Sequence, residues 1–367
     1  MNATRELQGV GQSLWLDNIT RGLLDDGILE HYIKDLSITG LTSNPTIFQK
    51  AIESTHLYDS AIHQKTLAGE SSETVFFGLA IEDLQRAADL FRPVHEATKG
   101  VDGWVSLEVS PLLASDTAGT IKAAVQLHAL AARPNLFIKI PGTRAGVAAI
   151  EESIFRGVPI NVTLLFSSEQ YVAAASAYMR GIERRLAADL DPHVRSVASL
   201  FVSRWDVAVK DKVGPSLQNR LGIAIAQSTY QAYRELLASP RWRTLADAGA
   251  APQRLLWAST GTKDPKAPDT LYVQALAAPD TINTIPDKTL LAFADHGQVK
   301  ELLANDGGDC EAVLDRFKKE GIDQDALAAR LQTEGTRSFD KSWNELLERI
   351  ASKSEKLKKS KTAGAKQ

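Results

Sequence analysis

Short apolar runs alternate with longer amphipathic stretches along most of the chain. The runs fall at 13–18 (SLWLDN), 38–43, 104–109 (WVSLEV), 136–140, 160–166 (INVTLLF), 198–204 (ASLFVSR) and 255–259 (LLWAS). They are rich in β-branched and aromatic residues and close on turn signals such as Asn44-Pro45 and Pro141-Gly142, the pattern of buried parallel strands. Helical periodicity predicts helices over 21–36, 117–132, 144–155 and from 167 to about 190, the last opened by a Ser167/Gln170 capping box. Residues 46–103 read as a long helical crossover, in which Val75, Leu79, Leu84 and Leu90 share a side. An eighth strand is placed at 281–284, with 290–294 as the alternative, and helical segments continue to about 352.

This alternation predicts a single (β/α)8 barrel over 1–352, elaborated by the helical insertion at about 46–103 and by C-terminal helices. Polar residues favour a closed barrel over an open sheet. Asp17, Asn44, Glu108, Lys139, Asn161 with Thr163, Arg204 and Ser259 all lie within or at the ends of apolar strands. In a barrel those ends share one mouth, where active sites form. The last stretch, 353–367 (KSEKLKKSKTAGAKQ), is expected to be a disordered, solvated tail.

The lysine in LFIKIPG is the most informative of these residues. An ammonium in an apolar strand loses hydration, which favours the neutral amine that attacks carbonyls. The alternative is a strand-end lysine that snorkels to solvent or pairs with a carboxylate. Asp17 and Glu108 supply proton transfer or ion pairs. Asn44, Asn161 and Thr163 supply hydrogen bonds, and Arg204 can fork onto a phosphate with Ser259 beside it. Together they fit Schiff-base carbon–carbon chemistry on a sugar phosphate. By position alone Lys263 reads as a solvated loop lysine.

Composition narrows the classes. A net charge of -3 and a pI near 6.2 give no general attraction for nucleic acid or anionic membrane. One cysteine, Cys310, and seven scattered histidines leave no internal disulfide and no clustered ligands, so no metal is expected; in Schiff-base chemistry the protonated imine is itself the electron sink, so no cofactor is expected either. The N-terminus lacks a signal-peptide core, and no stretch of about 18 apolar residues occurs, so a cytoplasmic protein is expected. The expected partners are small sugar phosphates, and the expected state is a monomer or homodimer.

The motifs LDNITR, GLTSNPTIF, VSLEVSP, FIKIPGT, INVTLLFS, ASLFVSRWD and WASTGTKDP, in order between about 15 and 296, resemble those of the transaldolase family in its longer bacterial form. The resemblance implies a barrel of the class I aldolase type with Lys139 as the Schiff-base lysine. It implies Asp17 as the acid/base at the sugar hydroxyl, and Glu108 with Thr163 as the pair handling a catalytic water. Asn44 and Asn161 match substrate-positioning amides, and Ser199, Arg204 and Ser259 match phosphate-side residues. Shorter members carry an arginine soon after the seventh-strand serine; here Lys263 stands nearby as the candidate second phosphate cation. Fructose-6-phosphate aldolases of similar sequence typically have glutamine at the position of Glu108 and tyrosine at that of Phe201, so both residues here are of the transaldolase kind. The resemblance thus implies transfer of a dihydroxyacetone unit between ketose and aldose phosphates in the non-oxidative pentose phosphate pathway. The alternatives are a fructose-6-phosphate aldolase and a non-catalytic barrel that binds sugar phosphates.

Overall fold

The computed structural model describes residues 2–364, with side chains through residue 356. Eight strands form one parallel sheet: β1 Ser13–Leu16, β2 Ile38–Leu41, β3 Val105–Glu108, β4 Leu136–Pro141, β5 Ile160–Leu165, β6 Ser196–Phe201, β7 Gln253–Ala258 and β8 Ile282–Ile285. The hydrogen-bonded order is β2-β1-β8-β7-β6-β5-β4-β3. A parallel bridge between Gly40 and Trp104, with the Leu41 amide donating to the Trp104 carbonyl at 2.9 Å, joins the two ends. The sheet is therefore a closed (β/α)8 barrel. Glycine is required at the seam, because a Cβ on Gly40 would fall 2.7 Å from the Trp15 ring and 2.8 Å from the Trp104 carbonyl oxygen.

Every strand residue is buried, because helices cover the outside and side chains fill the inside. Period-two alternation sorts the two faces. On β4, Leu136, Ile138 and Ile140 alternate with Phe137 and Lys139; Phe137 stacks on Trp104 with ring centroids 4.1 Å apart, and on Trp15 at 6.2 Å. Parallel register places Glu108 beside Lys139 and Lys139 beside Asn161. The base of the barrel is closed by an ion pair between Arg254 and Asp102 at 3.3 Å.

Several expected boundaries shift for local reasons. The helix expected over 21–36 is two, Arg21–Asp25 and Ile28–Asp35, broken at Gly27 with φ 69°. Strand β6 starts at Ser196 and ends at Phe201, so Arg204 lies in the first turn of helix Ser203–Val209. Residues 290–294 belong to helix Asp287–His296 rather than to a strand. Three helices, Pro45–Ser54, Asp59–Leu67 and Ser72–Ala97, fill the 46–103 crossover. The C-terminal helix, Gln324–Gly364, runs past 352 into the lysine-rich stretch, and 365–367 lie outside the described residues. Lys353 anchors the start of this extension, with Nζ donating to the Thr55 carbonyl at 2.7 Å and meeting Asp59 at 2.6 Å, beside a buried Ser354. Among the described residues no helix is long and apolar enough to cross a membrane.

Candidate active site

The C-terminal ends of the strands enclose a cavity of about 250 Å³. Asp17, Asn44, Lys139, Thr163, Ser199, Arg204, Ser259 and Lys263 all line it. Glu108 and Asn161 lie just behind, buried against residues that do.

Lys139 is 5% exposed. Its Nζ donates to the Ser43 carbonyl at 2.9 Å and lies 3.2 Å from Glu108 Oε2. That second contact is close enough for an ion pair but poorly directed, so Oε2 accepts no formal hydrogen bond. Burial pushes the Glu108 carboxyl above its usual range; the Lys139 charge opposes this, and the Asp17 charge adds to the rise. The Asp17 carboxyl is also pushed up, chiefly by burial, against the charge of Lys139, a hydrogen bond from Thr42 and the charge of Lys263. Its Oδ1 accepts from Thr42 Oγ1 at 2.9 Å, and that hydroxyl lies 2.7 Å from Thr284 Oγ1. Two carboxyls of raised basicity thus flank one amine.

The hydrogen-bonding residues divide into committed and uncommitted groups. Asn161 is committed: Nδ2 donates to Ser106 Oγ at 3.1 Å, and Oδ1 accepts from Ser199 Oγ at 2.7 Å. Asn44 caps helix Pro45–Ser54, its Oδ1 accepting from the Ile47 amide at 3.0 Å, while its amide nitrogen makes no bond to the described residues. The Thr163 hydroxyl is fully buried yet has no partner among the described residues. An orphaned hydroxyl on a cavity wall costs free energy until a ligand or water satisfies it.

Arg204 and the exposed Lys263 line the cavity, joined by Lys50 from helix Pro45–Ser54. Ser259 holds a left-handed φ of 56°, and its hydroxyl lies 2.9 Å from Ser203 Oγ. Lys50, Ser106 and Phe339 were not singled out from the sequence. Ser106 had a signal, since it stands two residues before Glu108 and so shares its face; Lys50 and Phe339 read as ordinary helix residues. Among the described residues no group of three His, Cys, Asp or Glu converges as metal ligands would.

A lysine, two carboxyls and several cations at the C-terminal mouth of a (β/α)8 barrel define an enzyme of the barrel class. The family model described as transaldolase/fructose-6-phosphate aldolase matches residues 14–350, and the chain belongs to that family. Proteins named transaldolase from Frankia alni and Thiobacillus denitrificans are each 44% identical to it across 95% of this chain, covering 97% and 100% of their own lengths. One from Thermobifida fusca is 43% identical, across 95% of this chain and 97% of its own.

Proposed function

We propose that the chain is a transaldolase, moving a dihydroxyacetone unit between sugar phosphates through a Schiff base on Lys139. The observation that carries this reading is the placement of Lys139 Nζ at the mouth, 3.2 Å from Glu108 and on the same cavity as Asp17 and Thr163. Glu108, made more basic by burial, takes a proton from the ammonium and leaves a neutral amine. The amine attacks the keto carbon of fructose 6-phosphate or sedoheptulose 7-phosphate. Glu108 returns the proton to the departing hydroxyl, with the Thr163 hydroxyl placing the water.

Asp17 then removes the proton of the C4 hydroxyl. The C3–C4 bond breaks, its electron pair flows into the protonated imine, and an aldose phosphate departs. The resulting enamine stays on Lys139 and attacks the aldehyde of erythrose 4-phosphate or glyceraldehyde 3-phosphate, Asp17 giving its proton to the new hydroxyl. Hydrolysis of the imine frees the product and restores the amine. The imine is itself the electron sink, so the residues at the mouth carry the chemistry.

Arg204 and Lys263, with Ser199, Ser259 and Lys50 nearby, bind the phosphate, and the Asn44 amide orients the sugar. The test is release of glyceraldehyde 3-phosphate from fructose 6-phosphate, with and without erythrose 4-phosphate. Release that requires the acceptor is expected; equal release without it would mean an aldolase instead. Borohydride with fructose 6-phosphate should leave the reduced adduct on Lys139, and an adduct on another lysine would sink the assignment.

A further inference from the structure

Arg204 differs from most other arginines in the molecule. Arg21, Arg86, Arg133, Arg234 and Arg241 each meet a carboxylate within 3.1 Å. Half-buried Arg204 makes no hydrogen bond or ion pair with any described residue, and Glu334, whose charge reaches it, pairs with Arg330 at 3.5 Å instead. What touches its guanidinium is aromatic: the carbon lies 5.1 Å from the Phe201 ring centroid and 5.9 Å from that of Phe339.

Phe339 comes from the C-terminal helix, 135 residues further along the chain than Arg204. It belongs to a stripe of that helix that faces the mouth. Gln332 Nε2 donates to the carbonyls of Gly142 at 3.1 Å and Leu164 at 3.0 Å, where β4 and β5 end. Ser342 Oγ accepts from Thr46 at 2.8 Å. Gly335, between them, lets the guanidinium lie against the helix, since a Cβ there would come within 3.2 Å of Nη1 and 2.9 Å of Leu164. Residues 332, 335, 339 and 342 repeat at helical spacing, so anchors on both sides fix the ring.

We propose that Phe339 is a positioning residue for the substrate phosphate: its ring, with that of Phe201, holds the Arg204 guanidinium by its faces and leaves all its N–H donors for the phosphate oxygens. The inference rests on reading Arg204 as a phosphate-binding residue. Aromatic faces attract the cation without occupying its in-plane donors, whereas a carboxylate partner would compete with the substrate. The C-terminal helix is in this way part of the specificity apparatus for phosphorylated over unphosphorylated sugars.

The test is kcat/KM for fructose 6-phosphate against fructose as donor, with erythrose 4-phosphate as acceptor in both cases, for Phe339→Leu, Phe339→Tyr, Arg204→Met and the Arg204→Met/Phe339→Leu double variant. The ratio of the two constants cancels any loss of folded protein. Phe339→Leu should lower the preference for the phosphorylated donor about five- to tenfold. Phe339→Tyr should restore it, and Phe339→Leu should add nothing once Arg204 is methionine. A fall equal for both donors, or one fully additive with Arg204→Met, overturns the positioning role. If Arg204→Met leaves the preference intact, the phosphate reading of Arg204 fails first and takes the proposal with it.

Discussion

Two buried ion pairs lie inside this barrel, one near each end, and they are built in opposite ways. At the base, Arg254 donates to the Val101 carbonyl at 3.1 Å, Asp102 Oδ1 at 3.3 Å, Ser13 Oγ at 2.7 Å and the Thr281 carbonyl at 2.9 Å. Both Asp102 oxygens accept further bonds, from Trp15 Nε1 at 3.0 Å and Ser13 Oγ at 2.5 Å. At the mouth, Lys139 and Glu108 are as close, yet Glu108 Oε2 and the Thr163 hydroxyl lack hydrogen-bond partners among the described residues. Burying charge is costly in either place. The base offsets that cost with a filled network that ties β1, β7 and β8 to the turn before β3. The mouth leaves it unmet and keeps polar capacity for a substrate. Closeness of two charges therefore does not distinguish a structural pair from a reactive one; the state of the surrounding donors and acceptors does.

The comparison breaks most sharply when one partner is removed from each ion pair. Lys139→Met should cut turnover by roughly 10⁴-fold or more while the thermal midpoint stays at or above that of the parent, because it removes a poorly satisfied buried charge beside a carboxyl that burial already inclines to protonation. A coupled assay beside a melting curve checks both halves. If the variant melts far below the parent, the mouth pair is structural and the contrast collapses. Asp102→Asn should do the reverse, leaving Arg254 buried without its counter-charge and costing about 3–5 kcal/mol in denaturant unfolding, with kcat per folded molecule nearly unchanged.

The pH dependence sharpens the contrast at smaller scale. The folded-state pKa of Glu108 lies above its ordinary value of 4.5, so the folded chain holds that proton more tightly than the unfolded chain does. Stability from this group is full below pH 4.5 and is lost as pH rises through the raised folded value. Glu108→Gln should flatten that decline in denaturation measured from about pH 4.5 to 7; an unchanged slope would mean that Glu108 does not destabilise the fold at neutral pH.

The smallest expected effect is at the chain end. Deletion after Ser352 removes the contacts of Lys353 with Asp59 and Thr55 and of Ser354 with Thr66. A loss of about 1 kcal/mol is expected, since the ion pair is only partly buried, with activity retained at low temperature. Loss of activity without loss of stability would mean instead that the segment supports the mouth directly.

The strand and helix alternation, the barrel class and the polar residues at strand ends were all legible in the amino-acid sequence. Strand pairing and burial act at a spacing of two, and that period is written locally in runs such as LFIKIPG and INVTLLF. Lys139, Glu108 and Asp17 were legible for the same reason, because a charge in an apolar run must be explained. What each charge meets depends on the folded chain. Arg254 lies just before the expected seventh strand, and nothing local ties it to Asp102, 152 residues away in the chain. Asn161 proved to be held by Ser106 and Ser199 rather than facing the cavity directly, a matter of neighbouring strands and not of its own. Phe339 and Lys50 reach the mouth only because a closed barrel brings the C-terminal helix and the helix after β2 to one rim. The packing of Lys353 has a like cause: in a polar, lysine-rich stretch it reads as solvated, but it finds an acceptor at Thr55 and a counter-charge at Asp59, nearly 300 residues earlier in the chain. Local pattern carries periodicity and hydrophobicity, whereas the satisfaction of a buried group depends on partners that only closure of the chain supplies.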